Sequence, residues 1–279
     1  MPPITSSSKP SFSSPPLVSI VTIVRNGEKT LERTIQSVLD QTYSNIEYLV
    51  LDGGSTDGTL DIIKQYEKHL AFWKSGLDGG ISAAMNMGIQ HCKGELIGLI
   101  HADDWYERDT VEAAVRAWQV NPESVICGYC QYWKGDKRDY VFESRPELLT
   151  GFMSVNHPTC FMSAALYNEY GLFRTEYRHA MDYELLLRLV IRGVPILSLD
   201  RVLANMSLAG HSDRNWIPTL WDAHRVRIEH GVGVLWKNWL NLSWQIFRGL
   251  TRRLAEQIGA ERFVDWFRSH FSALPKHRF

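Results

Sequence analysis

The stretch E95-L-I-G-L-I-H-A-D-D-W-Y106 joins an apolar run of strand length to two adjacent acids. Leu96 to Ile100 have the near-continuous hydrophobicity of a strand covered on both faces. The run ends on His101, and Asp103 and Asp104 follow where such a strand would emerge. A helix candidate, R108-D-T-V-E-A-A-V-R-A-W118, comes next. Two readings compete for the acids. An Asp ahead of a helix accepts orphan backbone N–H groups as a cap. The alternative is a cation and polyol site at the carboxyl end of a parallel sheet, where open α/β folds bind their ligands.

Working outward, the flanking pattern favours that sheet. L17-V-S-I-V-T-I-V24 and I46-E-Y-L-V-L51 read as buried strands, with a shorter one near A71-F-W-K74. Between them, E28 to L39 places Leu31, Ile35, Val38 and Leu39 on one helical stripe. T59-L-D-I-I-K-Q-Y66 and I81-S-A-A-M-N-M-G-I-Q90 are the next helices. This alternation predicts right-handed βαβ units around a mostly parallel, Rossmann-like sheet flanked by helices. Beyond Asn121 the rhythm changes. S124 to Q131 and R138 to F142 could pair across the turn K134-G-D-K137, D182 to I191 is helical, and I196–L199 and L203–L208 read as two further strands.

Bulk properties narrow the class. With 279 residues the chain can bury one large core plus an extension, and a formal charge of −1 gives no electrostatic case for nucleic acid. Cys127 and Cys130 form a lone CxxC without a second pair at zinc spacing, so the four cysteines read as reduced thiols in or near a strand. The Ser- and Pro-rich residues 1–16 lack a signal-type apolar core and read as a disordered lead. No stretch reaches the ~20 apolar residues needed to span a bilayer. The expectation is a cytoplasmic chain with a lead at 1–16, a catalytic domain at 17–211 and a helical extension at 212–279.

Three constellations carry chemistry. L51-D-G-G-S-T-D-G58 runs a strand into a glycine-rich turn and a helix start, S75-G-L-D-G-G-I-S-A-A-M-N-M-G88 repeats the theme, and Ala102-Asp103-Asp104 is the third. Glycines let backbone approach a ligand, and a helix N-terminus favours an anion. Hard cations such as Mg²⁺ or Mn²⁺ take one or two protein acids together with phosphate oxygens. In a parallel order all three junctions fall on one edge of the sheet.

Taken in order, V18-S-I-V-T-I-V-R-N26, L51-D-G-G-S-T-D-G-T59, D78-G-G-I-S-A-A-M-N-M-G88, H101-A-D-D-W-Y106 and M181-D-Y-E-L-L-L-R-L189 resemble the inverting GT-A glycosyltransferases of family 2. The resemblance spans Leu17 to His211. It implies that Asp52 meets the nucleotide base, usually uracil, that Asp103 holds the ribose and that Asp104 binds the metal. It further implies that Asp78 lines the donor pocket, that Asp182 is the catalytic base and that His211 is a late metal ligand. His157, in V155-N-H-P-T-C-F161, falls on the acceptor side. Arg25 stands where relatives often carry an aromatic against the base, a place where a guanidinium plane can also stack. Ala83 and Met181 replace acids common in relatives. The implied partners are a nucleotide-sugar donor and a glycan or lipid-linked saccharide acceptor.

Alternatives exist. A sugar nucleotidyltransferase should carry a glycine-rich, basic loop after the first strand, whereas V24-R-N-G-E-K29 has one glycine. A non-catalytic sugar-nucleotide-binding subunit has no need of both Asp104 and Asp182. In the tail, Leu235, Trp239, Leu242, Ile246 and Leu250 recur at helical spacing, widened by Trp236, Leu240, Trp244 and Phe247. From Gly231 to Phe279 eight Lys and Arg stand against three Asp and Glu, a formal +5. Such a face suits either an anionic membrane surface or packing on protein, including a second copy.

Overall fold

The structure, a computed structural model, describes residues 14–76, 79–207, 216–233, 239–240, 242–247, 249–251 and 276–277. The N-terminal half alternates as expected: β1 (Val18–Val24), α1 (Leu31–Leu39), β2 (Ile46–Asp52), α2 (Thr59–Tyr66), β3 (Phe72–Ser75), α3 (Ile81–His91) and β4 (Leu96–His101). These four strands pair in parallel in the order β4-β1-β2-β3.

Strand periodicity divides the core between two faces. On β1, Val18, Ile20 and Val24 point to the side where Leu31 and Ile35 of α1 and Ile63 of α2 pack. Val21 points the other way, towards Met85 and Ile89 of α3 and a later helix over Met181–Ile191. Successive side chains alternate across a strand, so an unbroken apolar run is what a sheet between two helical layers requires.

The second half continues with β5 (Trp105–Tyr106), α4 (Thr110–Val120), β6 (Val125–Lys134), β7 (Lys137–Phe142), β8 (Phe161–Ser163), α5 (Ala164–Tyr170), α6 (Met181–Ile191), β9 (Ile196–Ser207) and α7 (Trp216–Glu229). Here the pairing becomes mixed. β8 runs antiparallel to β4 and β6, and β6 and β7 form the expected hairpin, while β6 and β9 run parallel. A last short strand, β10 (Lys276–His277), adds antiparallel to β7. The two strands expected at 196–199 and 203–208 are one strand, β9. Register shifts against β6 near Gly128 and Tyr129 absorb the polar Asp200-Arg201 step without ending the ladder. All four cysteines are free, and Cys127 and Cys130 are buried in β6.

Helix α6 is buried almost all round, with Met181, Tyr183, Leu185, Leu186, Leu187 and Leu189 in the core. Helix α3 approaches β1 so closely that a Cβ at Gly88 would lie 2.4 Å from Val21 Cγ1 and 3.3 Å from Leu51 Cδ2. Two effects oppose each other there. Alanine favours a helix interior by up to ~1 kcal/mol over glycine, whereas forcing a methyl into a packed core costs about 1–3 kcal/mol. Because Val21 is itself buried, the clash prevails. Gly88→Ala is therefore expected to lower stability in urea unfolding, and pairing it with Val21→Ala should lessen the added cost of that alanine.

Candidate active site

The strand register brings the glycine-rich turn and the acid turn to one edge. Asp52 pairs with Val24, and His101 with Ile23, so both flank the carboxyl end of β1. Asp52 is buried, and hydrogen bonds hold its carboxylate. It accepts the Ser55 N–H at 3.1 Å, the Ser55 hydroxyl, and the Ser75 hydroxyl at 2.6 Å from the end of β3.

Two loops are knitted together beneath it. Asn26 adopts φ 54°, a left-handed conformation that Asn tolerates better than most residues. Its Oδ1 accepts the Thr56 N–H at 2.9 Å, and its own N–H donates to Ser55 Oγ at 2.7 Å. The Gly27 N–H donates to Thr59 Oγ1 at 2.8 Å. Arg25 is exposed beside this floor.

The acid turn is pinned from α1. Thr34 Oγ1 donates to the Asp104 carbonyl at 2.6 Å, and the Asp104 N–H donates to the His101 carbonyl at 3.0 Å. The side chain of Asp104 is 1% exposed, and neither carboxylate oxygen has a hydrogen-bond partner among the described residues. Burial, with the charge of neighbouring Asp103, pushes its pKa well above the ordinary range, and Arg33 opposes the shift. The Arg33 guanidinium lies 3.5 Å from the centroid of Trp105 and donates to the Asp103 carbonyl at 3.4 Å.

A buried carboxylate without a donor is costly unless a cation joins it. A hard divalent ion commonly takes one or two protein carboxylates together with phosphate oxygens. Asp104 could supply one such carboxylate, but no group of three or more ligating side chains forms among the described residues. Capping does not account for the acids. Helix α4 begins after Asp109, whose carboxylate bonds Arg201 at 2.6 and 2.7 Å. Asp78 and His211, expected in the donor pocket and on the metal, lie outside the described residues.

Asp182 is the second residue of α6, following Ala180 at the cap position. Its Oδ1 accepts the Tyr183 N–H at 2.8 Å. Burial raises its pKa to about 6, partly offset by backbone hydrogen bonds. Burial holds the Tyr132 hydroxyl on β6 well above the ordinary phenol range, and the charges of Asp104 and Asp182 add to that shift. His157 is buried in a 3-10 turn at His157–Thr159. Its ring centroid lies 6.1 Å from that of His101 and 5.4 Å from that of Phe173. Burial and His101 hold its pKa down to about 3, so the imidazole is neutral.

Sequence reasoning missed Arg33, Thr34 and Asn26. Arg33 and Thr34 sit in an ordinary amphipathic helix, and the acid turn they grip is 70 residues away in sequence. Asn26 carried a faint local signal, an Asn-Gly pair directly after a strand.

The sequence profile described as "Glycosyl transferase family 2" matches residues 19–185. An uncharacterized glycosyltransferase of Mycobacterium tuberculosis is 33% identical over 191 residues, 66% of this chain and 73% of that protein. The chondroitin synthase of Escherichia coli is 30% identical over 206 residues, 71% of this chain and 30% of its own. Among solved structures, Staphylococcus aureus TarS 1-349 in complex with UDP-GlcNAc superposes with a TM-score of 0.62 at 18% identity, covering 76% of this chain and 66% of that one. The mannosyltransferase PcManGT of Pyrobaculum calidifontis, in complex with GDP-Man and Mn²⁺, gives 0.60 at 20% identity, covering 77% and 64%. With the profile match running from β1 into α6, and with this mixed sheet between helical layers, the chain belongs to glycosyl transferase family 2 and is a glycosyltransferase of GT-A fold.

Proposed function

We propose that this enzyme transfers a sugar from a nucleotide-sugar donor, a uridine diphosphate sugar foremost, to a hydroxyl of a glycan or lipid-linked saccharide by one inverting displacement. The observation that carries the reading is the buried Asp104 carboxylate with both oxygens unpartnered among the described residues, at the end of the strand that pairs with β1. TarS structures with UDP and UDP-GlcNAc, and PcManGT with GDP-Man and Mn²⁺, support a nucleotide-sugar donor and a divalent ion.

In this reading Asp52 receives the nucleotide base, with Arg25 stacking beside it and Asp78 lining the pocket. Asp103 binds the ribose hydroxyls. Asp104, joined by His211, holds Mg²⁺ or Mn²⁺, which supplies Lewis-acid neutralisation of charge on the leaving diphosphate. Asp182 takes the proton of the acceptor hydroxyl as it attacks the opposite face of the anomeric carbon. Attack from that face inverts the centre and needs no covalent enzyme intermediate. His157, neutral and buried, shapes the acceptor side through His101 rather than exchanging protons near neutral pH.

The tail supports a peripheral role at the inner face of a cytoplasmic membrane. Among the described residues no helix is long and apolar enough to cross a bilayer. Leu242 packs inward, while Trp239, Leu240, Trp244, Phe247 and Leu250 are each about half exposed or more. Leu235 and Trp236, also expected on this face, lie outside the described residues. Aromatic surface beside a segment of formal charge +5 complements anionic headgroups.

Four outcomes are expected. In calorimetry with a uridine diphosphate sugar and Mn²⁺, Asp104→Asn should bind the donor far more weakly than the wild type; equal affinity would remove the metal role. Asp182→Asn should keep donor affinity and lose about 10²–10⁴-fold in transfer, the usual scale for a general base. Because the base must be ionised, wild-type turnover should rise with pH through about 6. A product that retains the donor's anomeric configuration would exclude single displacement. Finally, the intact chain should sediment with anionic liposomes at low salt and lose this on truncation after Gly233. Failure to sediment, with dimers in analytical ultracentrifugation, would assign the face to a second copy.

A further inference from the structure

Helix α6 begins without a side-chain cap, because Ala180 occupies the cap position. Its entry is held instead by α7, from more than forty residues further along the chain. Asp222 Oδ2 accepts the backbone N–H groups of Arg178 at 3.2 Å and His179 at 3.0 Å, directly ahead of the helix. Next on α7, the Arg225 guanidinium lies 5.2 Å from the Tyr177 ring and bonds Glu229 at 2.6 Å. Glu229 in turn accepts the hydroxyl of the fully buried Tyr177. Val226, on the same face, is buried in the core that holds Tyr183 and Leu186.

A second grip lies on the far side of Asp182. His230 Nε2 stands 3.0 Å from Oε1 of Glu184, which is fully buried. Glu184 also receives Arg188 at 3.0 Å and Arg174 at 3.4 Å. Asp182 therefore sits between two anchored points, residues 178–179 before it and Glu184 after it, and α7 or its immediate continuation reaches both. A carboxylate bridging adjacent N–H groups makes charge-assisted hydrogen bonds, which are stronger and more directional than neutral ones.

We propose that Asp222 is a positioning residue for Asp182, so that α7, beyond the family-matched segment, sets where the proton acceptor sits. The inference rests on Asp182 being the base. Catalytic groups tolerate little displacement, and a shift near 1 Å costs up to about 10²-fold in rate. Met181 and Tyr183, which flank Asp182 in the chain, share one core cluster with Val226 of α7. The neighbours that feel its charge, Tyr132 and Cys160, have burial-raised pKa values and stay neutral in the working range.

The test compares the full-length wild type with Asp222→Ala, which removes the acceptor oxygens, and Asp222→Asn, which keeps one. Hydrolysis of UDP-GlcNAc and of GDP-mannose is followed from pH 5 to 9, with uridine diphosphate affinity measured in parallel. Asp222→Ala should lower kcat on the order of 10–100-fold at unchanged nucleotide affinity. Its acid limb should move to lower pH as Asp182 gains water, and Asp222→Asn should recover most of the rate. A parallel loss of nucleotide affinity and kcat with an unmoved acid limb, in either variant, would overturn the proposal in favour of a purely structural contact. So would wild-type kinetics in Asp222→Ala. Amide hydrogen exchange at Arg178 and His179 separates this from the assignment of the base. If exchange accelerates in Asp222→Ala while Asp182→Asn hydrolyses donor at the wild-type rate, the clamp exists but Asp182 is not the base, and the positioning role falls with it.

Discussion

The carboxylate of Asp104 is the constraint around which this half of the molecule is arranged. It lies under the acid turn with neither oxygen partnered among the described residues, and burial resists its ionisation. A charge in that position is costly unless something compensates it. The surroundings keep the group there nonetheless. Thr34 grips its backbone, Arg33 lies close enough to favour the anion, and the parallel pairing of β4 with β1 places the turn at the ligand edge. Backbone bonding thus holds the turn, while the carboxylate itself makes no hydrogen bond among the described residues.

The acids at this edge have been given different surroundings. Asp52 is buried too, yet serine hydroxyls and a backbone N–H surround it, so its carboxylate is oriented before any ligand arrives. Asp104 keeps its orientation through its backbone and leaves the oxygens free. Asp182 lies between these extremes, with one backbone donor and a pKa lifted to about 6. A carboxyl group tuned to that range is still ionised at neutral pH and is a stronger proton acceptor than an exposed one. Three aspartates thus gain three chemical characters from what surrounds them.

The mixed half of the sheet explains how these groups meet. β8 inserts antiparallel between β4 and β6, and β9 extends β6 along its length, so the chain returns beside the acid turn through Asn205 and Ser207. Helix α6 then approaches from the opposite layer. Its apolar circumference commits it to the core, with Asp182 in its first turn.

Local pattern alone determined the parallel half. Long runs such as Val18–Val24 and stripes such as Leu31, Ile35 and Val38 can be satisfied only by buried strands and one-sided helices, and their period survives any tertiary context. The acids Asp52, Asp103, Asp104 and Asp182 could be singled out as candidates for a related reason: each belongs to a motif read within a few residues. Elements of two or three residues, β5 and β8, are too short to show a period, and β9 looked like two strands because its polar step is carried by a bulge. Only the tertiary structure decided that Thr34 pins the acid turn, that His157 is buried against His101, and that Asp222 grips the entry to α6. Those contacts join segments tens of residues apart, and their energy comes from burial and directional bonding across the fold, which no local spacing in the chain encodes.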